Sequence, residues 1–318
     1  MNSSNNLPSL SIVLPCYNEE KVLPETLTRL TTLLNDLIDS NKIGKASKMY
    51  FVDDGSNDKT WELIDEFSQN NKQVRGIKLS CNRGHQNALL AGLLNAGGDA
   101  IISIDADLQD DILIIEKMVD EYIAGSDVVY GVRKSRSTDT FFKRCTAESY
   151  YKLIQLMGVD IVFNHADYRL LSRRAINALK SYGEVNLFLR GVIPTLGFRC
   201  TQVEYDRCQR FAGESKYPIS KMLSLAVDGI TSFSVTPLRV IALMGLLVFI
   251  GTLFMSAWVL WTKFVSNTGI PGWASSVLPI YFIGGIQLLS IGVLGEYVAK
   301  TYMETKKRPR FIIEKIIE

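Results

Sequence analysis

The stretch Ser103-Ile104-Asp105-Ala106-Asp107-Leu108-Gln109-Asp110 sets two carboxylates and an amide at alternating positions, directly after the apolar run Ala100-Ile101-Ile102. A buried strand that ends this way gathers acid groups that repel one another unless a cation or hydrogen-bond donors compensate. Two further pairs stand in comparable places, Asn18-Glu19 after Leu10–Leu14 and Asp53-Asp54 after Met49–Val52. Oxygen-only donors suit Mg2+ or Mn2+, which typically take one or two carboxylates plus substrate phosphates. The expected chemistry is therefore a divalent ion carrying a diphosphate. Helix capping is the competing use of such acids. It accounts for Asp58 and for Asp110 or Asp111, but not for Asp105 and Asp107, which leave a strand with residues still to run before the next helix. No G-x-x-x-x-G-K-[ST] string occurs and no G-x-G-x-x-G follows the first strand, so ATPase and dinucleotide oxidoreductase chemistry lose their main support. The five cysteines form no C-x-x-C pair and are odd in number, which argues against a disulfide framework or a zinc site and for a reducing compartment. His85, in "NRGHQN", is read as a helix-start residue, and His165 as a residue standing behind Asp167.

The elements that must position these groups alternate. Strands are expected at Leu10–Leu14, Met49–Val52, Arg75–Leu79 and Ala100–Ile104, and helices at Pro24–Asp39, Thr60–Gln69 and His85–Asn95. That order predicts an α/β fold with a doubly wound, mostly parallel sheet. Ligands of such sheets lie beyond the carboxyl ends of the strands, where each acidic pair falls.

After about residue 235 the polarity collapses. Val240–Trp261 is 22 residues without a charge, roughly 33 Å as a helix against a hydrocarbon core of about 30 Å. Val277–Val298 is a second such run, with Glu296 near its end. Arg239 precedes the first run and Lys300, Lys306, Lys307, Arg308 and Arg310 follow the second, while the loop between holds only Lys263. The positive-inside rule then puts both termini in the cytoplasm. The predicted organisation is a catalytic domain over 1–206, a juxtamembrane amphipathic segment over 207–235, two transmembrane helices within 236–299 (about 240–261 and 277–298) and a basic tail over 300–318. A net charge of +2 offers no nucleic-acid footprint.

"LPCYNEE", "VDDGSNDKT" and "DADLQD", in that order, resemble glycosyltransferase family 2 with its Rossmann-like GT-A fold. "STDTFFKRCTAESYYKL", "ADYRLLSR", "RFAGESKY", "DGITSFSVTPLR" and "GGIQLLSIGVLGEYVAKTYMETKKRPRFI" are similar to the polyprenyl-phosphate branch, which includes dolichol-phosphate mannose synthase and the bactoprenol glucosyltransferases of O-antigen modification. The likeness runs from about Leu10 to Phe311.

It implies roles residue by residue. Pro15, Tyr17, Asn18 and Glu19, with Asp53 or Asp54, would line the uridine pocket, and Asp105 would contact the nucleoside. Asp107 and Gln109 would hold Mg2+ or Mn2+ on the diphosphate, and Arg210 and Lys216 would neutralise the leaving group. Arg133 and Arg144 would grip the acceptor phosphate, and Asp167 would be the catalytic carboxylate. Cys16 departs from the Val or Met more usual at its position.

The implied reaction moves glucose from UDP-glucose to undecaprenyl phosphate, with inversion, at the cytoplasmic face of the bacterial inner membrane. Mannose or a modified arabinose would leave the same phosphate machinery intact. The resemblance further implies a homotetramer working with a flippase and a periplasmic glycosyltransferase. A processive polysaccharide synthase would need a Q-x-x-R-W string, which does not occur. A non-catalytic scaffold would have shed the metal and leaving-group residues, which are all present. Asp167 has a structural alternative as the partner of Arg169 or Arg173.

Overall fold

The computed structural model describes residues 7–134, 165–184, 189–206, 236–261 and 273–318. Arg144, Arg210, Lys216 and the segment 207–235 lie outside the described residues.

The expected alternation forms. β1 (Leu10–Cys16), β2 (Lys48–Asp53), β3 (Val74–Leu79) and β4 (Ala100–Ser103) are joined through α1 (Leu23–Asp39), α2 (Thr60–Asn70) and α3 (His85–Asn95). α4 (Ile114–Ile123) leads to β5 (Val128–Arg133), and β6 (His165–Ser172), α5 (Arg173–Lys180), α6 (Leu189–Thr195) and β7 (Cys200–Tyr205) follow. The chain continues through α7 (Thr236–Trp261) and α8 (Trp273–Lys306) to β8 (Ile313–Ile317). Eight strands make one sheet in the order β7-β5-β6-β4-β1-β2-β3-β8. β1, β2, β3 and β4 run parallel, as do β5 and β7, while β6 and β8 are antiparallel to their neighbours. The sheet is thus mostly parallel, as expected.

Both faces are covered, which is why the central strands read as unbroken apolar runs. Ile12 and Leu14 of β1 meet α1 through Leu23, Leu30 and Leu34 on one side, while Val13 and Val52 meet α3 on the other. That second layer is tight. A Cβ added at Gly92 of α3 would lie 2.2 Å from Val13 Cγ1, so the helix can rest on the sheet only because residue 92 has no side chain.

One expectation needs correction. Residues 300–318, expected to be a tail, contain β8, which pairs with β3 at the edge of the sheet. Of the two expected spans, the described residues support one: Phe282–Lys306 is long and apolar enough to cross a membrane and is not buried within the protein. It belongs to α8, which contains the whole expected run 277–298 and continues unbroken to Lys306. α7 contains the whole of the other expected run, 240–261, and its described part Thr236–Val248 is an apolar helix. Phe282, Leu288, Leu289, Ile291 and Leu294 of α8 are exposed, the side-chain chemistry of a surface that meets lipid. The chain is membrane-associated.

Candidate active site

The carboxyl ends of β1 and β2 are sewn together. Cys16 and Asp53 are register partners, and the Asp54 N–H donates to the Cys16 carbonyl at 2.9 Å. Beyond them Asn18, at φ 56°, turns the chain. Its N–H donates to Ser56 Oγ (3.0 Å) and its side-chain oxygen accepts from the Asn57 N–H (2.9 Å). The Glu19 N–H donates to Thr60 Oγ1 at 2.9 Å. Tyr17 stands exposed on this joint and Pro15 is buried within β1.

Asp53 and Asp54 are both buried, and desolvation pushes both carboxyls up, against the hydrogen bonds they accept. Asp53 accepts from the Ser56 N–H at 3.2 Å. Asp54 accepts from the N–H groups of Arg83 (2.7 Å) and Gly84 (2.9 Å), and so holds the loop that starts α3. Neither bonds the start of α2; Asp58, in the turn before it, accepts from the Thr60 N–H at 3.0 Å.

The β4 tip delivers the remaining acids. Leu108 adopts φ 56°, and this left-handed residue turns the chain so that the Gln109 N–H donates to Asp107 Oδ1 at 3.2 Å. Asp107 and Gln109 are thereby neighbours on one tight turn. Among the described residues no group of three or more His, Cys, Asp or Glu could enclose a metal by itself. Two oxygen donors on one turn fit a Mg2+-type ion that completes its shell with phosphate oxygens and water.

Asp110 and Asp111, one or the other of which capping was expected to explain, separate in role. Asp111 accepts from the Leu113 N–H at 2.9 Å, in the turn that leads into α4. Asp110 is buried instead against Tyr205 Oη (2.5 Å) and Arg133 Nη2 (3.1 Å), and Arg133 Nε also donates to Tyr205 Oη at 3.2 Å. Arg133 therefore sits at the site with its guanidinium held by Asp110 and Tyr205.

Asp167 comes from β6, antiparallel beside β4, and Ser103 Oγ donates to its backbone carbonyl at 2.6 Å. Its buried carboxylate accepts from Arg169, which is itself wholly buried, and from Arg190 Nε (3.2 Å) and Nη2 (3.0 Å). Arg169 is thus one of the two partners considered for Asp167, while Arg173 donates to the Gly98 and Ala96 carbonyls instead. Burial alone would raise the Asp167 carboxyl, but Arg190, His85 and Arg169 hold it well below the ordinary carboxylate range.

Two participants were missed in the sequence. His85 does begin α3, but its Nε2 lies 3.5 Å from Asp105 Oδ1 and 3.6 Å from Asp167 Oδ2. Desolvation draws His85 down, yet Asp105 and Asp167 outweigh it and raise it to about 9. Asp105 is pushed up to about 6, foremost by desolvation and then by Asp110, Asp167 and Asp107, against the pull of His85. Arg190 is the second. Its helix start is tied to α3 by the Leu189 N–H, which donates to Gln86 Oε1 at 3.0 Å. The available signal for His85 was its position, since "NRGH" follows β3 at the carboxyl rim where every other acidic pair falls.

Residues 11–180 match the family described as Glycosyl transferase family 2. The chain is a family 2 glycosyltransferase. Its sheet is GT-A-like, as this family membership implies. It is 50% identical to the "Uncharacterized glycosyltransferase YkoT" of Bacillus subtilis, over 96% of this chain and 91% of that one. It is 38% identical to the "Prophage bactoprenol glucosyl transferase homolog" of Escherichia coli K12, over 96% and 99% of the two chains. The "Bactoprenol glucosyl transferase" of Shigella phage SfX is likewise 38% identical, over 96% and 98%. Among solved structures, glucosyl-3-phosphoglycerate synthase from Mycobacterium tuberculosis, crystallised with Mn2+, UDP and phosphoglyceric acid, is similar at TM-score 0.45 and 18% identity, over 70% of this chain and 76% of that one.

Proposed function

We propose that this glycosyltransferase moves a hexose, glucose in the first instance, from a UDP-sugar to undecaprenyl phosphate at the cytoplasmic face of a bacterial plasma membrane. The observation that carries this is the Asp107–Gln109 turn standing at the β4 tip beside Asp105, His85 and Asp167, in a chain 38% identical to proteins named bactoprenol glucosyl transferase. A phosphate oxygen of the acceptor attacks the anomeric carbon, the bond from that carbon to the diphosphate oxygen breaks, and UDP leaves with the electron pair. Direct displacement inverts the anomeric centre.

Asp107 and Gln109 would hold Mg2+ or Mn2+ on the diphosphate, and the ion would neutralise charge as it develops on UDP. Pro15, Tyr17, Asn18, Glu19, Asp53, Asp54 and Asp105 form the uridine side of the cleft. Asp53 and Asp54 serve it by fixing the loops after β2 and β3. Arg210 and Lys216 meet the leaving group, and Arg133 and Arg144 the acceptor phosphate. Asp167, pinned by cations and ionised, is suited to stabilising positive charge at the anomeric carbon and orienting the acceptor. A phosphate monoester loses its second proton near pH 6 and arrives mostly as a dianion, so proton removal by Asp167 is not required.

Two membrane passages, α7 and α8, place the catalytic side and both termini in the cytoplasm, by the cation asymmetry. The protein works as a homo-oligomer beside a flippase and a periplasmic glycosyltransferase. The test is incubation of the purified protein with radiolabelled UDP- and GDP-sugars and undecaprenyl phosphate, with and without EDTA. Organic-soluble label from UDP-glucose, lost with EDTA, is expected. Label from a GDP-sugar alone, or undiminished by EDTA, overturns the assignment.

A further inference from the structure

The strand beyond the apolar helix has no part in the chemistry above, yet it belongs to the same sheet. β8 pairs antiparallel with β3 in the register Gly76 with Ile317, Ile77 with Ile316, Lys78 with Lys315 and Leu79 with Ile313. Because the pairing is antiparallel, β8 enters the sheet at the carboxyl end of β3, the rim that carries the acids. There the Ser80 N–H donates to the Ile312 carbonyl at 2.9 Å.

Only residues 307–312 separate the end of α8 from β8. Fully extended, they reach roughly 20 Å, so the end of the apolar helix must lie near this rim and not near the opposite edge. α8 stops at Lys306 because Lys307 turns left-handed at φ 47° and Pro309 follows.

The connection is fastened along its length. Arg310 Nη2 donates to the Tyr182 carbonyl at 2.5 Å, and Phe311 and Ile313 pack on the core layer formed by α3. Glu314 pairs with Lys78 at 3.0 Å, and Lys315 stands 5.9 Å over the Trp61 ring. Lys306, Lys307 and Arg308 are exposed at the helix end, where cations are attracted to anionic headgroups.

We propose that residues 307–317 are a strap that binds the carboxyl rim of the sheet to the end of α8, making that rim the surface presented to an anionic lipid bilayer. The strap holds the cleft within reach of an acceptor phosphate that cannot leave the membrane. It rests on α8 crossing the bilayer, and its test has a readout that needs no catalysis.

Two native cysteines report the two rims. Cys81 is exposed just after β3, and Cys200 is exposed at the start of β7, on the opposite rim. With Cys145 and Cys208 replaced by serine, C200S leaves Cys81 and C81S leaves Cys200 as the exposed thiol for a fluorophore; Cys16 is buried. Each labelled full-length protein is placed in phosphatidylcholine–phosphatidylglycerol vesicles that carry a headgroup nitroxide quencher. Strong quenching at Cys81 and weak quenching at Cys200 is expected. Equal quenching, or the reverse order, overturns the strap whatever the enzyme does.

A second variant carries a flexible Gly-Ser insertion of about twelve residues between Lys307 and Arg308. The quenching difference should collapse, and transfer to vesicle-borne undecaprenyl phosphate should drop roughly tenfold as effective concentration is lost, with UDP-glucose binding unchanged. An insertion variant that keeps both the quenching difference and full transfer contradicts the proposal. If quenching behaves as expected but no variant, wild type included, labels lipid, the acceptor assignment fails and the strap stands.

Discussion

At the residue scale the decisive feature is that Asp167 is ringed by His85, Arg169 and Arg190. Arg169 has no exposed surface, and among the described residues its Nε and Nη1 find no hydrogen-bond partner, so Asp167 is its main compensation. Breaking a buried pair by removing one charge costs about 3–5 kcal/mol, whereas replacing both by apolar groups is often neutral. Asp167→Asn should therefore lose transfer and melt earlier, while Asp167→Asn with Arg169→Met should recover most of the melting temperature and stay inactive. Recovery of transfer in the double variant would make Asp167 structural. His85 makes a pH prediction. Its folded-state value, about 9, lies above the ordinary 6.5, so its stabilising contribution is complete below about 6.5 and is lost as pH rises through 9. Melting temperature measured without metal should fall between pH 7 and 10, and the fall should be shallower in His85→Gln. Equal slopes would remove His85 from the site.

At the element scale, the rim is built by strands whose length and pairing set where each acid stands. α3 rests on β1 through Gly92, and two effects compete there. Gly→Ala in a helix interior ordinarily gains up to about 1 kcal/mol, whereas overpacking a tight core costs about 1–3 kcal/mol. With the new Cβ 2.2 Å from Val13 Cγ1, the clash wins, and Gly92→Ala should lower the denaturation midpoint. An unchanged or raised midpoint would mean that the helix can lift off the sheet freely. The helix α3 was legible to the residue, since His85–Asn95 is bounded by Gly84 before it and Gly97-Gly98 after it. The acids at the tips of β1, β2 and β4 were legible because a parallel sheet sends all such tips to one rim. β8 was not: "IEKII" beside a run of cations reads as a solvated tail, and only tertiary pairing with β3 makes it a strand. The role of Asp110 was not legible for a similar reason, since its partners Arg133 and Tyr205 are distant in sequence. His85 and Arg190 are long-range encounters of the same kind.

At the scale of the whole molecule, a family 2 glycosyltransferase sheet is joined to an apolar helix, and the chain returns from that helix to complete the sheet. A spanning helix predicts that the chain stays in the membrane pellet after alkaline carbonate washing, as a peripherally bound protein would not. Two passages predict more: a cysteine placed by Ser266→Cys should react with a membrane-impermeant thiol reagent from outside intact cells, and labelling only in inverted vesicles would contradict them. The central claim concerns the rim itself, where Asp107 and Gln109 share one turn at the tip of β4. Its most direct test compares wild-type protein with Asp107→Ala in identical vesicles containing undecaprenyl phosphate, following label from UDP-glucose into organic-soluble β-linked product with Mg2+ or Mn2+ present. The account predicts a loss of at least about a hundredfold, on the scale of removing a group that stabilises charge in the transition state. A variant that makes the same product at the wild-type rate would contradict it.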